Sequence, residues 1–178
     1  MAELKLKSTE PKLETDRFTL SHDRAEHPSG VVLDRQIILN PPAAVMLAAR
    51  DEAVLLIRQY RLPPRMYLWE LPAGRCDPGE NPLETAKREL IEETGYRAHL
   101  WRTLLSFYPA PGFASELMHS FLAQDLTAGE AEPEQYELIE TRWFDRAEAL
   151  KMIERGEIRD GKTVATLLYY ESFVVKQS

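Results

Sequence analysis

Four glutamates, Glu80, Glu89, Glu92 and Glu93, fall within fourteen residues, around Arg88 and between Gly74 and Gly95. Carboxylates this close repel one another, so the chain gives up helix stability to gather them. Two chemistries fit such a cluster. One is a solvated acidic surface, the usual meaning of a Glu-rich helix. The other is a site for a hard divalent cation, since Mg²⁺ prefers oxygen ligands and takes a few carboxylates together with substrate phosphate. Residue types and spacing leave both readings open.

Local signals say which elements must carry these side chains. Asn81 is a good N-cap, Pro82 suits the first helical position, and Glu84 stands three residues after the cap, as in a capping box. Gly95 supplies the C-terminal stop. Leu83, Ala86 and Leu90 recur at helical spacing and form the stripe that must be buried. Glu89 and Glu93 are then one turn apart with Glu92 beside them, so three carboxylates share a face.

The segment Gly74 to Tyr96 resembles the Nudix box, G-x5-E-x7-R-E-U-x-E-E-x-G-U, where U is a bulky aliphatic or aromatic residue. The matching residues are Gly74, Glu80, Arg88, Glu89, Leu90, Glu92, Glu93, Gly95 and Tyr96. With all nine specified positions filled in order, the chain is identified as a member of the Nudix hydrolases, and the cation-site reading is preferred. The resemblance implies cleavage of nucleoside diphosphates linked to another moiety, with Mg²⁺ or Mn²⁺ as cofactor. It makes Glu89 and Glu93 the principal metal ligands and Glu92 a further ligand or a base-positioning carboxylate. The carbonyl of Ala73 corresponds to a backbone ligand, and Arg88 to a structural arginine that orients a box glutamate.

A narrower resemblance lies outside the box. Tyr108 to Glu116 is similar to the S-P-G-x-x-x-E segment of ADP-ribose pyrophosphatases, and Pro111 stands fifteen residues beyond Tyr96, as the subfamily's marker proline does. Arg58 to Arg61, Trp69 to Gly74 and Gly156 to Thr163 also recur in those enzymes. The resemblance implies Mg²⁺-dependent hydrolysis of ADP-ribose to AMP and ribose 5-phosphate, with Arg35 and Arg61 at the substrate; Phe18, an aromatic of the N-terminal strands, is of a type that could stack on adenine. Relatives carry a Glu-x-Glu pair in a later loop. Here Gln135 holds its first position, where no proton can be accepted, and Glu137 its second. Glu137 is therefore the first candidate for that loop's catalytic role, with Glu134 and Glu116 behind it. A hydrolase of another nucleoside diphosphate sugar, such as GDP-mannose, and a nucleotide-sensing module that does not cleave are the competing readings.

Composition bounds the rest. The 178 residues suit one compact protein with a substantial core, and 44% hydrophobic with 29% charged residues is ordinary for a soluble chain. A formal charge of −7 argues against nucleic acid as partner. The small-molecule substrate is itself an anion, so cations in the acidic cluster and arginines elsewhere must receive it. Cys76 is the only cysteine, which excludes an intramolecular disulfide, and the four histidines show no zinc-ligand spacing. No apolar run approaches the roughly 18–20 residues of a membrane span, and the charged first residues do not look like a signal peptide. The expected location is cytoplasmic.

Residues 1–15 are polar and expected to be loose. Strands are expected at 17–20 and 31–39, then over the two near-continuous apolar runs 43–48 and 54–57, which read as strands covered on both faces. A short strand near Trp69 precedes the box helix. Further strands are expected at 101–107, 117–123 and 141–144, with helices at 146–155 and 164–175. The pattern is α/β and fits the Nudix α/β/α sandwich with a mixed sheet, plus an N-terminal antiparallel β subdomain. The expected division is an N-terminal β extension, 1–40, and a Nudix hydrolase domain, 41–178. The resemblance implies a homodimer formed through the extension.

Overall fold

The computed structural model describes residues 3–131 and 138–177. The chain forms two compact units. The first comprises Met1–Pro41 and Tyr108–Leu117, the second Pro42–Phe107 and Met118–Ser178.

The first unit is an antiparallel meander of β1 (Lys5–Glu14), β2 (Thr19–Glu26) and β3 (Val32–Leu39). The segment Tyr108–Leu117 packs onto it through backbone bonds from Ile38 N–H to the Phe113 carbonyl, 2.7 Å, and from Ser115 N–H to the Ile38 carbonyl, 2.9 Å. Within the stretch expected to be loose, Lys5–Glu14 instead form β1, exposed along its whole length. No alternation of apolar residues announces it because neither face is covered. Pro11 is tolerated because β1 is an edge strand. The turn between β2 and β3 is His27–Gly30, where Gly30 adopts φ 86°.

The second unit is built on a seven-stranded mixed sheet. Its strands are β4 (Ala43–Arg50), β5 (Ala53–Arg61), β6 (Met66–Glu70), β7 (Ala73–Arg75), β8 (Tyr96–Phe107), β9 (Met118–Ala128) and β10 (Glu140–Asp145). The central order is β10-β5-β4-β9-β8, with β6 on β5 and β7 on β4; β4 and β9 run parallel. Helix α1 (Pro82–Thr94) covers one face, and α2 (Arg146–Glu154) with α3 (Gly161–Phe173) covers the other.

Strand β4 shows why its run is apolar throughout. Ala43, Val45, Leu47 and Ala49 join Met152, Ile158 and Leu167 on the α2–α3 side. Ala44, Met46 and Ala48 join Ala86, Leu90 and Phe121 on the α1 side. Each face of the strand has its own core, so no position is left for a polar residue. This is the expected α/β/α sandwich, with the antiparallel N-terminal sheet beside it in sequence.

Candidate functional site

Helix α1 begins and ends where its residues dictate. Asn81 accepts a hydrogen bond from Leu83 N–H at 2.9 Å, Pro82 opens the helix, and Gly95 closes it at φ 75° with its N–H on the Ile91 carbonyl. Glu84 departs from the capping-box expectation and pairs with Lys87 at 2.8 Å. Ala86 and Leu90 are fully buried under the sheet, which fixes the rotation of the helix and hence the direction of its acidic face.

On that face Arg88 organises the carboxylates. Its Nε and one Nη donate to the two Glu80 oxygens at 3.1 and 2.9 Å, a bidentate pair. The other Nη donates to Glu89 at 2.7 Å and to Glu92 at 3.0 Å. Glu80 also accepts from Asp77 N–H and the Thr85 hydroxyl. The Arg88 hydrogen bonds, first among these contacts, hold the Glu80 carboxyl down at about 2 against the opposing effect of burial. Arg88 is pushed upward by the same pairing and stays charged at any accessible pH.

Glu93 lies behind this group, only 4% exposed, and accepts from Ala73 N–H at 2.9 Å. That bond ties the helix to β7, which pairs with β4 through Ala73 opposite Val45. Gly74 makes the approach possible: a Cβ there would stand 1.9 Å from the Glu89 Cδ. The glycine that opens the box leaves room for the Glu89 carboxylate, which any larger residue there would have to displace.

Among the described residues, no group of three His, Cys, Asp or Glu side chains converges tightly enough to hold a metal ion as it stands. The reason is visible in the contacts. Glu89 and Glu92 are turned onto Arg88, and Glu93 onto a backbone amide. The donor set itself, all oxygen and dominated by carboxylates one helical turn apart, suits a hard cation such as Mg²⁺ or Mn²⁺. The residues fit the ion in chemistry.

The remaining expected site residues are distributed as follows. Arg61, on β5, donates through Nε and one Nη to Glu70 at 2.8 and 2.7 Å. Its charge is also felt by Glu93. Arg35, Pro111 and Glu116 belong to the first unit: Arg35 on β3 donates to the Asp34 carbonyl, and Pro111 follows Ala110 in a turn closed by Ala114 N–H on the Ala110 carbonyl. Glu137, Glu134 and Gln135 lie outside the described residues. Cys76 is buried, and that burial pushes its thiol up, away from nucleophilic use.

The residues that sequence reasoning left without a role are Glu70, Asp160 and Lys162. Glu70 is 1% exposed, yet it is ionised within a ring of partners, Arg61 on one side and Lys162 on the other. Burial alone would push its carboxyl up; the Arg61 hydrogen bonds and the Lys162 charge outweigh it and hold it below the usual range. The available signal was a lone carboxylate inside the apolar run Trp69-Glu70-Leu71-Pro72.

A sandwich of this topology with an Arg88-centred carboxylate cluster defines a Nudix protein, and the NUDIX domain model matches residues 39–167: the chain belongs to this family. It is 38% identical to an ADP-ribose pyrophosphatase of Bacillus subtilis (strain 168) over 149 residues, which span 82% of this chain and 80% of that protein. It is likewise 38% identical to a methanol dehydrogenase activator of Bacillus methanolicus over 158 residues, 85% and 84% of the two chains. The fold matches the crystal structure of an ADP compounds hydrolase with a TM-score of 0.88 over 100% of this chain and 97% of that one, at 24% identity.

Proposed function

We propose that this protein hydrolyses the diphosphate bridge of ADP-ribose, releasing AMP and ribose 5-phosphate, with Mg²⁺ or Mn²⁺ held by the box carboxylates. The observation that carries the reading is the complete box geometry: Glu89 and Glu92 oriented by Arg88, with buried Glu93 tied to Ala73. The likeness to the Bacillus subtilis ADP-ribose pyrophosphatase across most of both chains supports the choice of substrate.

When bound, a divalent ion neutralises phosphate charge and acidifies a water. The chain supplies the rest by positioning. Glu89, Glu92, Glu93 and the carbonyl of Ala73 are the ligands. Arg88 holds Glu89 and Glu92 together on one shared Nη despite their mutual repulsion. Arg61 and Arg35 are assigned to the diphosphate, where guanidinium forks match paired oxygens. Glu70 fixes the Arg61 fork in one orientation. Water oxygen bonds to one phosphorus, the bridging P–O bond breaks, and a carboxylate takes the water's proton. Glu137, Glu134 and Glu116 are, in that order, the candidates for that base. Replacing each by glutamine identifies it: the base variant loses the acidic limb of the kcat profile, and the other two retain it.

Arg35, Pro111 and Glu116 enter this reading through the resemblance alone. So does a homodimer, which the fully exposed β1 and the exposed Leu4, Leu6, Leu13, Val31 and Val32 of the N-terminal sheet support. Light scattering tests it, and a monomer at micromolar concentration contradicts it. No helix among the described residues is long and apolar enough to cross a membrane, and the proposed location is the cytoplasm.

The activator name of the Bacillus methanolicus relative supports a second reading, a regulatory module that binds a nucleotide without cleaving it. Mixing protein, Mg²⁺ and ADP-ribose separates the two. AMP release supports the hydrolase, whereas tight binding without AMP supports the sensor. A panel containing GDP-mannose tests the substrate: much faster turnover of another sugar nucleotide overturns the ADP-ribose assignment.

A further inference from the structure

Side chains from the neighbouring strand β5 and from the distant helix α3 meet at Glu70. Arg61 comes from β5, Glu70 ends β6, and Lys162 stands in the first turn of α3, 92 residues away. Lys162 Nζ touches both Glu70 and Asp160, the latter at 2.9 Å. Asp160 caps α3 by accepting from Thr163 N–H at 3.0 Å, and it also accepts the Thr163 hydroxyl at 2.6 Å. With its only proton committed to Asp160, Thr163 Oγ1 presents a lone pair, and Leu71 N–H donates to it at 2.8 Å.

The backbone after Glu70 is then fixed residue by residue. Leu71 N–H is held by α3. The Pro72 carbonyl accepts from Met46 N–H at 2.9 Å. Ala73 N–H is held by Glu93 at 2.9 Å. Ala73 is two residues from Leu71, about 7 Å along an extended chain. Any slip at Leu71 is therefore passed on to Ala73 and its carbonyl.

We propose that Lys162, acting with Asp160 and Thr163 through Glu70 and Leu71, is a positioning residue for the cation site: it presets the Ala73 backbone against Glu93 before any ion arrives. The proposal rests on the reading of the box as a divalent-cation site. A Glu70 network serving only the stability of the sandwich would contribute to the melting temperature and leave metal affinity untouched. The two roles are therefore separable.

The test uses Lys162→Met, Lys162→Arg and Thr163→Val in the full chain, with Arg146→Met as control. Arg146 pairs with Glu52 and with Glu171 near the far end of α3, so its loss should destabilise the same unit while leaving the contacts of Lys162 and Thr163 in place. Two readouts are taken without substrate. One is amide hydrogen exchange at Leu71 and Ala73 in metal-free protein, and the other is Mn²⁺ affinity from the electron paramagnetic resonance signal of free Mn²⁺. Lys162→Met is expected to speed exchange at both amides and to weaken Mn²⁺ by about tenfold or more, as loss of a group supporting a metal ligand does. Lys162→Arg restores most of the affinity, and Arg146→Met leaves it within about twofold of wild type. If Lys162→Met does not fold, Thr163→Val, which removes the acceptor of Leu71 N–H, is held to the same expectation. Wild-type Mn²⁺ affinity in a folded Lys162→Met or Thr163→Val overturns the proposal alone. Failure of the wild-type protein itself to bind Mn²⁺ overturns the metal reading, and the proposal with it.

Discussion

The second unit holds two charge networks of opposite design. Around Arg88, three box carboxylates, Glu80, Glu89 and Glu92, face one guanidinium in a partly exposed setting, an excess of negative charge among these contacts, while Glu93 is buried on Ala73 N–H. Around Glu70, two carboxylates face Arg61 and Lys162, the charges balance, and the central group is almost completely buried. A buried ion must be matched to persist, because its desolvation costs several kcal/mol. An unbalanced cluster near solvent persists only when something further completes it or when water screens it. On the function proposed above, the unbalanced network is the one that would take a cation, and the balanced one orients Arg61 and the backbone after Glu70.

The largest effect expected from attacking the unbalanced network is that of Glu93→Gln. The amide oxygen can still accept from Ala73 N–H, so the fold should survive, while the loss of a charged ligand should lower ADP-ribose turnover by roughly two orders of magnitude or more. Circular dichroism and AMP release check the two halves, and near-normal turnover would remove Glu93 from the ligand set. Gly74→Ala comes next. Its Cβ would displace the Glu89 carboxylate, which stands 1.9 Å from that position, so activity should fall by about a hundredfold. An undiminished rate would show that Glu89 need not occupy this place.

Arg88→Met sharpens the comparison differently. It removes the guanidinium that bridges Glu80, Glu89 and Glu92, and stability should fall by roughly 1–3 kcal/mol, between the ranges for exposed and buried pairs. Mn²⁺ should recover part of that loss by taking over the guanidinium's charge. Denaturant midpoints with and without Mn²⁺ measure it, and an equal loss under both conditions would contradict the exchange of one cation for the other.

The smallest effect is one of pH. Glu80 is depressed from 4.5 to about 2 in the folded protein, so its contribution is fully present above about 4.5 and disappears as pH falls toward 2. The stability difference between wild type and Glu80→Gln should accordingly be flat from pH 7 to 5 and shrink below that. A difference that grows on acidification would reverse the sign of this assignment.

Legibility in sequence follows the range of the interactions. The box helix was readable because its cap, its stripe and its stop are local, and its carboxylates are close neighbours in the chain. The buried strands β4 and β5 were readable because cores on both faces demand continuous apolar runs. Strand β1 was not, since a strand exposed on both faces has no reason to alternate. Glu84 failed as a capping-box partner because Lys87 competes for it one turn on. The Glu70 network was hidden for a different reason: its partners stand 9 and 92 residues away, a distance over which spacing carries no signal. The family motif pointed to Gly74 without its cause, which is the Glu89 carboxylate packed against it. Glu137, the first candidate for the loop base, lies outside the described residues.

The most direct test of the account is to follow ADP-ribose cleavage by purified protein through exhaustive chelation and metal return. The account predicts equal amounts of AMP and ribose 5-phosphate with Mg²⁺ or Mn²⁺, none after chelation, and recovery when the ion is restored. Turnover that persists unchanged in the metal-free protein would contradict it.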